Sequence, residues 1–161
     1  MIIVEDTVRL PDGETAEYLR EAPTKAHSVA IIAIDDENNL LIQREYSYPT
    51  GRILYQLPGG AALESEDILV AAKRELSEES GFSAKSCTVA GWFYINNRRS
   101  DRKQYVVIAK DLTIQHSDGD KEEFIESEWM SFSELRTRIK SGDIQNVNLL
   151  AALCLYDQLS L

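Results

Sequence analysis

The sequence predicts one α/β domain in which helices flank a mixed β-sheet. Short apolar runs rich in β-branched residues, such as Val29 to Ile34, are typical of buried strands. Longer stretches with apolar residues at helical spacing lie between and after these runs, and capping residues bound them. The 161 residues contain no repeat, low-complexity tract or linker, so we expect a single domain over residues 1–161.

The first half of the chain is predicted to consist of strands. Ile2 to Leu10 alternates apolar and polar residues, and Pro11-Asp12-Gly13 is a turn signal. Residues 1–22 should therefore form an N-terminal β-hairpin, with Thr15 to Arg20 as its second strand. Further strands are predicted at Val29 to Ile34, Leu40 to Arg44 and Ile53 to Leu57, with a loop over residues 45–52.

A helix is predicted to follow Pro58-Gly59-Gly60. Ser65 is expected to be its N-cap, with Glu66 and Asp67 in the first turn, and Gly81 stands where a glycine commonly ends a helix. The remaining predictions are strands near 86–94, 104–110 and 124–130, a helix that begins at the capping box Ser131 to Glu134, and a last helix over 146–159.

Composition and charge exclude several classes of function. The net charge of −10 and the sequence pI of about 4.7 disfavour binding to nucleic acid through its phosphates. No apolar run approaches the length that crosses a membrane, and the N-terminus lacks the basic region of a secretory signal. Two cysteines are too few for a disulfide framework. We therefore expect a cytoplasmic protein that binds neither nucleic acid nor membrane.

Carboxylates crowd one face of the first predicted helix. Positions i, i+3 and i+4 share a face, so Glu75, Glu78 and Glu79 should point the same way. Like charges at this spacing weaken a helix by about 0.2–0.5 kcal/mol per pair, a cost that a cation would remove. Mg²⁺ favours oxygen ligands from a few carboxylates together with substrate phosphates. Alone, such a run is most often a solvated face, so the flanking residues decide its meaning.

The stretch from Gly60 to Phe82 resembles the Nudix box. Five residues separate Gly60 from Glu66, and seven separate Glu66 from Arg74, which opens the run RELSEESG. Only the last position departs, because Phe82 stands where the family usually has an aliphatic residue. A pattern of this length is far more specific than a lone glycine motif. The resemblance implies a Nudix-type α/β/α sandwich with a mixed β-sheet, in which the box forms a loop–helix–loop.

The resemblance also implies an activity and a set of roles. Nudix proteins use Mg²⁺ or Mn²⁺ to hydrolyse a phosphoanhydride bond in a nucleoside diphosphate linked to another group. Glu75, Glu78 and Glu79 would be the metal ligands, together with the backbone carbonyl of Gly59. Glu66 would orient the box, Arg74 would hold the carboxylates in place, and Gly60 and Gly81 would provide turns.

The general base is left open between two parts of the chain. Bound metals can activate water and polarise the phosphoryl group, and a carboxylate can take the proton of the water. One candidate is a catalytic glutamate of the box, chiefly Glu75 and otherwise Glu79. The other is Glu123, preferred to Glu122, in an acidic loop that ADP-ribose hydrolases of this family often use.

Segments outside the box resemble the ADP-ribose and nucleoside-diphosphate-sugar pyrophosphatases of the family. Val8 to Gly13 resembles their N-terminal hairpin, and Arg44 to Gly60 follows their run into the box. Members of this branch are commonly dimers with the N-terminal strands in the interface, so we expect a homodimer. Two features depart: Gln56 stands where glutamate is common, and Ile95 to Arg99 lacks a proline that often follows the box. We therefore expect a nucleoside diphosphate sugar as substrate, with ADP-ribose as one option.

Several side chains outside the box are candidates for binding this nucleotide. Arginine suits bidentate contact with phosphate, and an aromatic ring can stack on a base. The candidates are Arg44, Arg52, Arg98, Arg99 and Tyr46. Two other functions stay open: a Nudix hydrolase of nucleoside triphosphates or dinucleoside polyphosphates, and a non-catalytic ligand sensor on the same fold. The intact box glutamates make the sensor the minor alternative.

Overall fold

The computed structural model describes residues 2–24, 26–115 and 125–159. Within these residues, eight strands and three helices follow one another. They are β1 (Ile3–Arg9), β2 (Thr15–Glu21), β3 (Ser28–Ala33), β4 (Asn39–Ser47), β5 (Arg52–Gln56), α1 (Ile68–Ser80), β6 (Phe82–Tyr94), β7 (Lys103–Ile114), β8 (Ile125–Ser131), α2 (Phe132–Ser141) and α3 (Val147–Leu159). None of the described helices has the length and apolar character that crossing a membrane requires.

The described strands form three sheets. β1 and β2 pair as an antiparallel hairpin, which confirms the predicted N-terminal hairpin. β7 lies between β3, to which it is parallel, and β6, to which it is antiparallel. β4 lies between β5 and β8 in an antiparallel sheet, and a bridge from Ile34 to Leu40 links β3 to β4.

Helices cover both faces of this β-structure. Successive side chains of a strand point to opposite faces, so β3 contributes to two separate cores. Val29 and Ile31 pack in one buried cluster with Leu76 of α1, whereas Ile32 packs in another with Leu149 of α3. The predicted α/β/α sandwich with a mixed sheet is therefore confirmed.

The helix α1 begins later than the sequence predicts. Asp67 is its N-cap, and the Asp67 carboxylate accepts hydrogen bonds from the backbone N–H groups of Leu69 (2.9 Å) and Val70 (3.2 Å). Ser65 lies in the preceding turn with a φ of 67°, so the prediction of Ser65 as N-cap is wrong. The physical reason lies in Glu66, whose carboxylate accepts the N–H of Leu63 (2.8 Å) and keeps this segment turned.

Other helix ends agree with the sequence, and the loop between β4 and β5 is shorter than predicted. Gly81 ends α1 in the left-handed conformation, and its N–H donates to the carbonyl of Ser77 (3.0 Å). Ser131 caps α2 by accepting the N–H of Glu134 (3.2 Å). The predicted loop over 45–52 narrows to a tight turn, because β4 and β5 pair as far as Ser47 and Arg52.

Candidate active site

The loop before α1 is anchored directly to β3. The N–H of Val29 donates to the carbonyl of Gly60 (2.9 Å), and the N–H of Ile31 donates to the carbonyl of Pro58 (2.8 Å). Gly59 between them has a φ of 147°, and a Cβ at Gly59 would lie 2.1 Å from the carbonyl oxygen of Val29. Only glycine fits this close approach of two backbones, so Gly59 fixes the loop against the sheet.

Gly60 leaves room for the carboxylate of Glu75. A Cβ at Gly60 would lie 2.6–2.8 Å from the carboxylate atoms of Glu75. The absence of a side chain at Gly60 therefore lets the Glu75 carboxylate lie directly against the loop. Only 12% of the Glu75 side chain is exposed, so this carboxylate is held in a largely buried position.

Arg74 joins three of the box carboxylates. Its Nη1 donates to Glu75 Oε1 (2.8 Å) and to Glu78 Oε2 (3.0 Å), and its Nε and Nη2 donate to the two oxygens of Glu66 (3.0 Å each). Nη2 also donates to the backbone carbonyl of Ala61 (3.0 Å). The guanidinium therefore links the helix face, Glu66 in the segment before the helix, and the anchored loop.

This arrangement shifts the ionisation of each partner differently. Burial raises the pKa of Glu75, and the hydrogen bond and charge of Arg74 oppose that rise only in part. The hydrogen bond from Arg74 lowers the pKa of Glu66, and the N–H of Leu63 adds to this effect. The pKa of Arg74 is raised, chiefly through its hydrogen bond to Glu66. Arg74 therefore stays charged, and Glu66 is held as a carboxylate.

Glu79 contacts the anchored loop directly. Its Oε2 accepts the backbone N–H of Gly59 at 2.9 Å. Glu75 and Glu78 both accept hydrogen bonds from Arg74, whereas Glu79 accepts one from Gly59. Within the described residues, no three acidic, histidine or cysteine side chains are already grouped as a metal site. The donors are nonetheless all oxygens on one helix face beside a glycine loop, a set that suits a hard divalent cation. A cation at these oxygens would compete with Arg74 for the carboxylates of Glu75 and Glu78. The three glutamates therefore fit a metal ion when Glu75 and Glu78 exchange their contacts with Arg74 for contacts with the metal.

Arg44 and Tyr46 lie away from these glutamates. Both belong to the face of β4 that carries Ile42 into the cluster beneath α3. Arg44 Nη1 donates to Glu126 Oε2 (3.1 Å), and the guanidinium lies 6.0 Å from the centre of the Tyr55 ring. The structure therefore does not bring these two predicted substrate residues together with the box.

Arg99 joins the N-terminal hairpin to the β6–β7 loop. Its guanidinium donates to the carbonyl of Leu19 and lies 5.4 Å from the centre of the Tyr18 ring. The hydroxyl of Tyr18 donates to the backbone carbonyl of Arg98 (2.5 Å), and the N–H of Glu21 donates to the carbonyl of Arg99 (2.7 Å). Arg98 is among the residues that line a cavity of about 320 Å³ between the hairpin and the loop. The predicted substrate residues Arg98 and Arg99 therefore both contact the N-terminal hairpin.

Comparison with known proteins decides the family. Residues 24–153 match the model described as NUDIX domain. The chain belongs to the Nudix family. It is 27% identical over 154 residues to the "ADP-ribose pyrophosphatase" of Bacillus subtilis (strain 168), a match that covers 94% of this chain and 82% of that protein. The predicted family membership is confirmed.

Two further similarities cover most of this Nudix chain. It is 28% identical over 150 residues to the "Methanol dehydrogenase activator" of Bacillus methanolicus, covering 92% of this chain and 80% of that protein. A solved structure described as "Crystal structure of ADP compounds hydrolase" superposes with a TM-score of 0.89 at 25% identity. That match covers 97% of this chain and 84% of the other.

A polar row lies beside the Nudix box, and the sequence patterns drew attention to one of its members, Gln56, but did not predict the row. We use this name for Gln43, Glu45 and Gln56, which share the face of β4 and β5 that carries Leu41 into the cluster beneath α1. Gln56 Nε2 donates to Glu45 Oε2 at 2.5 Å. The available signal was the alternation of β4, in which Gln43 and Glu45 occupy the inward positions that follow Leu41.

Two other predicted site residues have different outcomes. Arg52 pairs with Ser47 in the β4–β5 ladder, so it lies on the same face as the polar row, at the exposed end of that face. Glu123, and Glu122 beside it, lie outside the described residues, so the loop candidate for the general base stays a prediction.

Proposed function

We propose that this protein hydrolyses the pyrophosphate bond of a nucleoside diphosphate linked to a sugar, giving a nucleoside monophosphate and a sugar phosphate. The observation that carries the proposal is the carboxylate face of α1, held against the Gly59–Gly60 loop by Arg74. The names of two similar proteins, an ADP-ribose pyrophosphatase and an ADP compounds hydrolase, support a nucleotide of this class.

Mg²⁺ or Mn²⁺ would be held by Glu75, Glu78 and Glu79, with the carbonyl of Gly59 as a further ligand. When bound, such a metal supplies charge neutralisation at the phosphate oxygens and a more acidic water. The N–H of Gly59 orients the Glu79 carboxylate, and Arg74 keeps Glu75 and Glu78 close together. The chain itself therefore supplies the positioning of the ligand oxygens.

The reaction needs a nucleophile and a proton acceptor. The oxygen of a water forms a bond to one phosphorus, the anhydride P–O bond breaks, and its electron pair leaves with the other phosphate. A carboxylate takes the proton of the water. Glu75, which lies against the loop, is the first candidate for this base, and Glu79 and Glu123 are the alternatives.

A homodimer and a cytoplasmic location complete the proposal. Exposed apolar side chains on the hairpin, including Ile3 and Leu19, support an interface there. Sedimentation velocity of the purified chain would test the dimer, because a monomer at micromolar concentration would contradict it.

A hydrolysis screen tests the proposed activity. Purified protein with Mg²⁺ would meet ADP-ribose, several other nucleotide sugars, nucleoside triphosphates and dinucleoside polyphosphates, and chromatography would resolve the products. We expect a nucleoside monophosphate and a sugar phosphate from at least one nucleotide sugar. Turnover of triphosphates or dinucleoside polyphosphates alone would replace the proposed substrate class. Ligand binding without any turnover would indicate the sensor function instead.

A further inference from the structure

The polar row lies next to the box but takes no part in the steps above. Gln56 is separated from Gly59 only by Leu57 and Pro58, and Leu57 packs in the cluster on the opposite face. Because side chains alternate along an extended segment, Gln56 points to the same side as Leu41, which packs in one cluster with Leu76 of α1. The row therefore borders the place where Gly59 meets Glu79.

Gln43 is the most unusual member of the row. Its side chain is completely buried, and among the residues that the structure describes neither its amide nitrogen nor its amide oxygen has a hydrogen-bond partner. An unsatisfied buried polar group costs about 1–3 kcal/mol, and such groups are rare in folded proteins. Because this side chain has no exposed surface, a ligand would form hydrogen bonds with the Gln43 amide only where the side chains that cover it move aside.

Glu45 and Gln56 hold each other but retain free capacity. Their hydrogen bond uses one N–H of Gln56 and one oxygen of Glu45. A carboxylate has about four acceptor sites, and an amide also offers a second N–H and a carbonyl oxygen. Both side chains are only partly buried, so a ligand can approach them. The row thus presents donors and acceptors with a negative charge and no positive one.

We propose that the polar row binds the hydroxyl groups of the substrate's sugar and makes the enzyme prefer a nucleoside diphosphate sugar to a nucleoside triphosphate. A sugar hydroxyl donates to Glu45 and accepts from an amide N–H, whereas the terminal phosphate of a triphosphate would meet the charge of Glu45. This inference rests on the proposed function and names the residues that select its substrate.

Arg52 provides the matched comparison. Arg52 lies on the same face as the polar row, two residues before Leu54, and Leu54 pairs with Glu45 in the ladder. Its side chain is exposed. Its charge attracts any anionic nucleotide, with or without a sugar. Because ATP carries more negative charge than ADP-ribose, replacing Arg52 should weaken ATP at least as much as ADP-ribose, whereas replacing Glu45 should weaken ADP-ribose selectively.

The first experiment measures this ratio. Wild type, Glu45→Gln and Arg52→Ala would be assayed with Mg²⁺ on ADP-ribose and ATP, and kcat/KM compared. We expect the ratio of kcat/KM values, ADP-ribose over ATP, to fall about tenfold or more in Glu45→Gln, the usual worth of a hydrogen bond to a charged group. Arg52→Ala should lower kcat/KM for both substrates without lowering this ratio. An unchanged ratio in Glu45→Gln would overturn the proposal.

A second experiment separates binding from structure at Gln43. The variant Gln43→Leu removes an unsatisfied buried amide, so we expect its Tm to equal or exceed that of wild type. Titration with ribose 5-phosphate should show weaker binding, and titration with inorganic pyrophosphate should show none of this loss. A lower Tm with unchanged ribose 5-phosphate binding would indicate a purely structural Gln43 and contradict the proposal.

The proposed hydrolysis and the proposed sugar site in the polar row can be tested separately. If wild type hydrolyses no nucleotide sugar, the proposed function is wrong, whatever the variants do. Titration of wild type and Glu45→Gln with ribose 5-phosphate would then still test whether the polar row binds a sugar. Equal binding by the two proteins would overturn it, and weaker binding by Glu45→Gln would support it as a sugar site.

Discussion

The Nudix box and the N-terminal hairpin use arginine in opposite ways. Arg74 is only 29% exposed and joins three carboxylates to one loop. Arg99 is exposed and donates to a backbone carbonyl of the hairpin, with its guanidinium over the Tyr18 ring. Arg74 thus balances charge in a partly buried site, whereas Arg99 holds one backbone segment to another.

The difference shows what sequence spacing can and cannot predict. The ion pairs of Arg74 reach no further than Glu66, eight residues away, so helix geometry and the box spacing predict them together. The contact of Arg99 with Leu19 spans 80 residues and depends on how the hairpin packs. The same residue type therefore has a predictable role in the box and an unpredictable one in the loop.

The largest effect is expected where the box meets β3. In Gly59→Ala the new Cβ would overlap the carbonyl of Val29, and the backbone of both segments would have to move. We expect a loss of about 3 kcal/mol or more in the free energy of unfolding, measured by urea denaturation. Gly51→Ala is the control, because Gly51 also has a positive φ but no atom within 4 Å of its Cβ position. Equal losses would contradict the close approach.

The next effect concerns Arg74. Arg74→Ala leaves Glu66, Glu75 and Glu78 without their common partner, so we expect about 2 kcal/mol of destabilisation at neutral pH. Arg136→Ala removes an ion pair with Asp157 in which both side chains are about half exposed, and should cost under about 0.5 kcal/mol. Similar costs for the two variants would show that the Arg74 contacts are no stronger than surface pairs.

The pH dependence of the Arg74 effect sharpens this prediction. Arg74 lowers the pKa of Glu66 below its ordinary value in the folded state. Such a carboxylate contributes stability above its unfolded pKa and loses that contribution as pH falls through the folded pKa. The Glu66 part of the difference between wild type and Arg74→Ala should therefore be present at pH 7 and shrink below the ordinary glutamate pKa. Urea denaturation of both proteins across this range checks the sign.

The smallest effect is expected at the hairpin. Arg99→Ala removes an exposed contact, so we expect about 0.5 kcal/mol of destabilisation and an unchanged KM. Arg98→Ala is the matched control, because Arg98 contributes its backbone carbonyl to the hairpin and keeps it in the variant. A raised KM in Arg99→Ala with unchanged stability would contradict this expectation and support Arg99 as a substrate residue, as the sequence predicts.

Much of the fold and box could be predicted because local patterns determine them. Alternation predicted the hairpin, and Gly81 and Ser131 have the terminal roles that their residue types favour. The prediction of Ser65 as N-cap is wrong because the carboxylate of Glu66 holds the preceding segment in a turn, and Asp67 then caps the helix. The choice between Ser65 and Asp67 as N-cap therefore depends on the contacts of Glu66, which include its hydrogen bonds with Arg74.

The polar row and Arg44 depend on contacts between strands. Which face of β4 meets α1 follows from the packing of Leu41, and the Glu45–Gln56 bond follows from the register of β4 with β5. A one-residue change of register would exchange the faces, so the sequence alone could not show that Arg44 lies on the face opposite the polar row.

Calorimetric titration with Mn²⁺ tests most directly whether the carboxylate face of α1 is a metal site. Wild type should bind the ion, and Glu79→Gln should bind at least about tenfold more weakly, the loss that even an outer-shell change can cause. The Tm of Glu79→Gln should be unchanged, because an amide oxygen can still accept the N–H of Gly59. The control Glu37→Gln, in the β3–β4 turn, should bind like wild type. Equal Mn²⁺ affinity in wild type and Glu79→Gln would contradict the assignment of this face as the metal site.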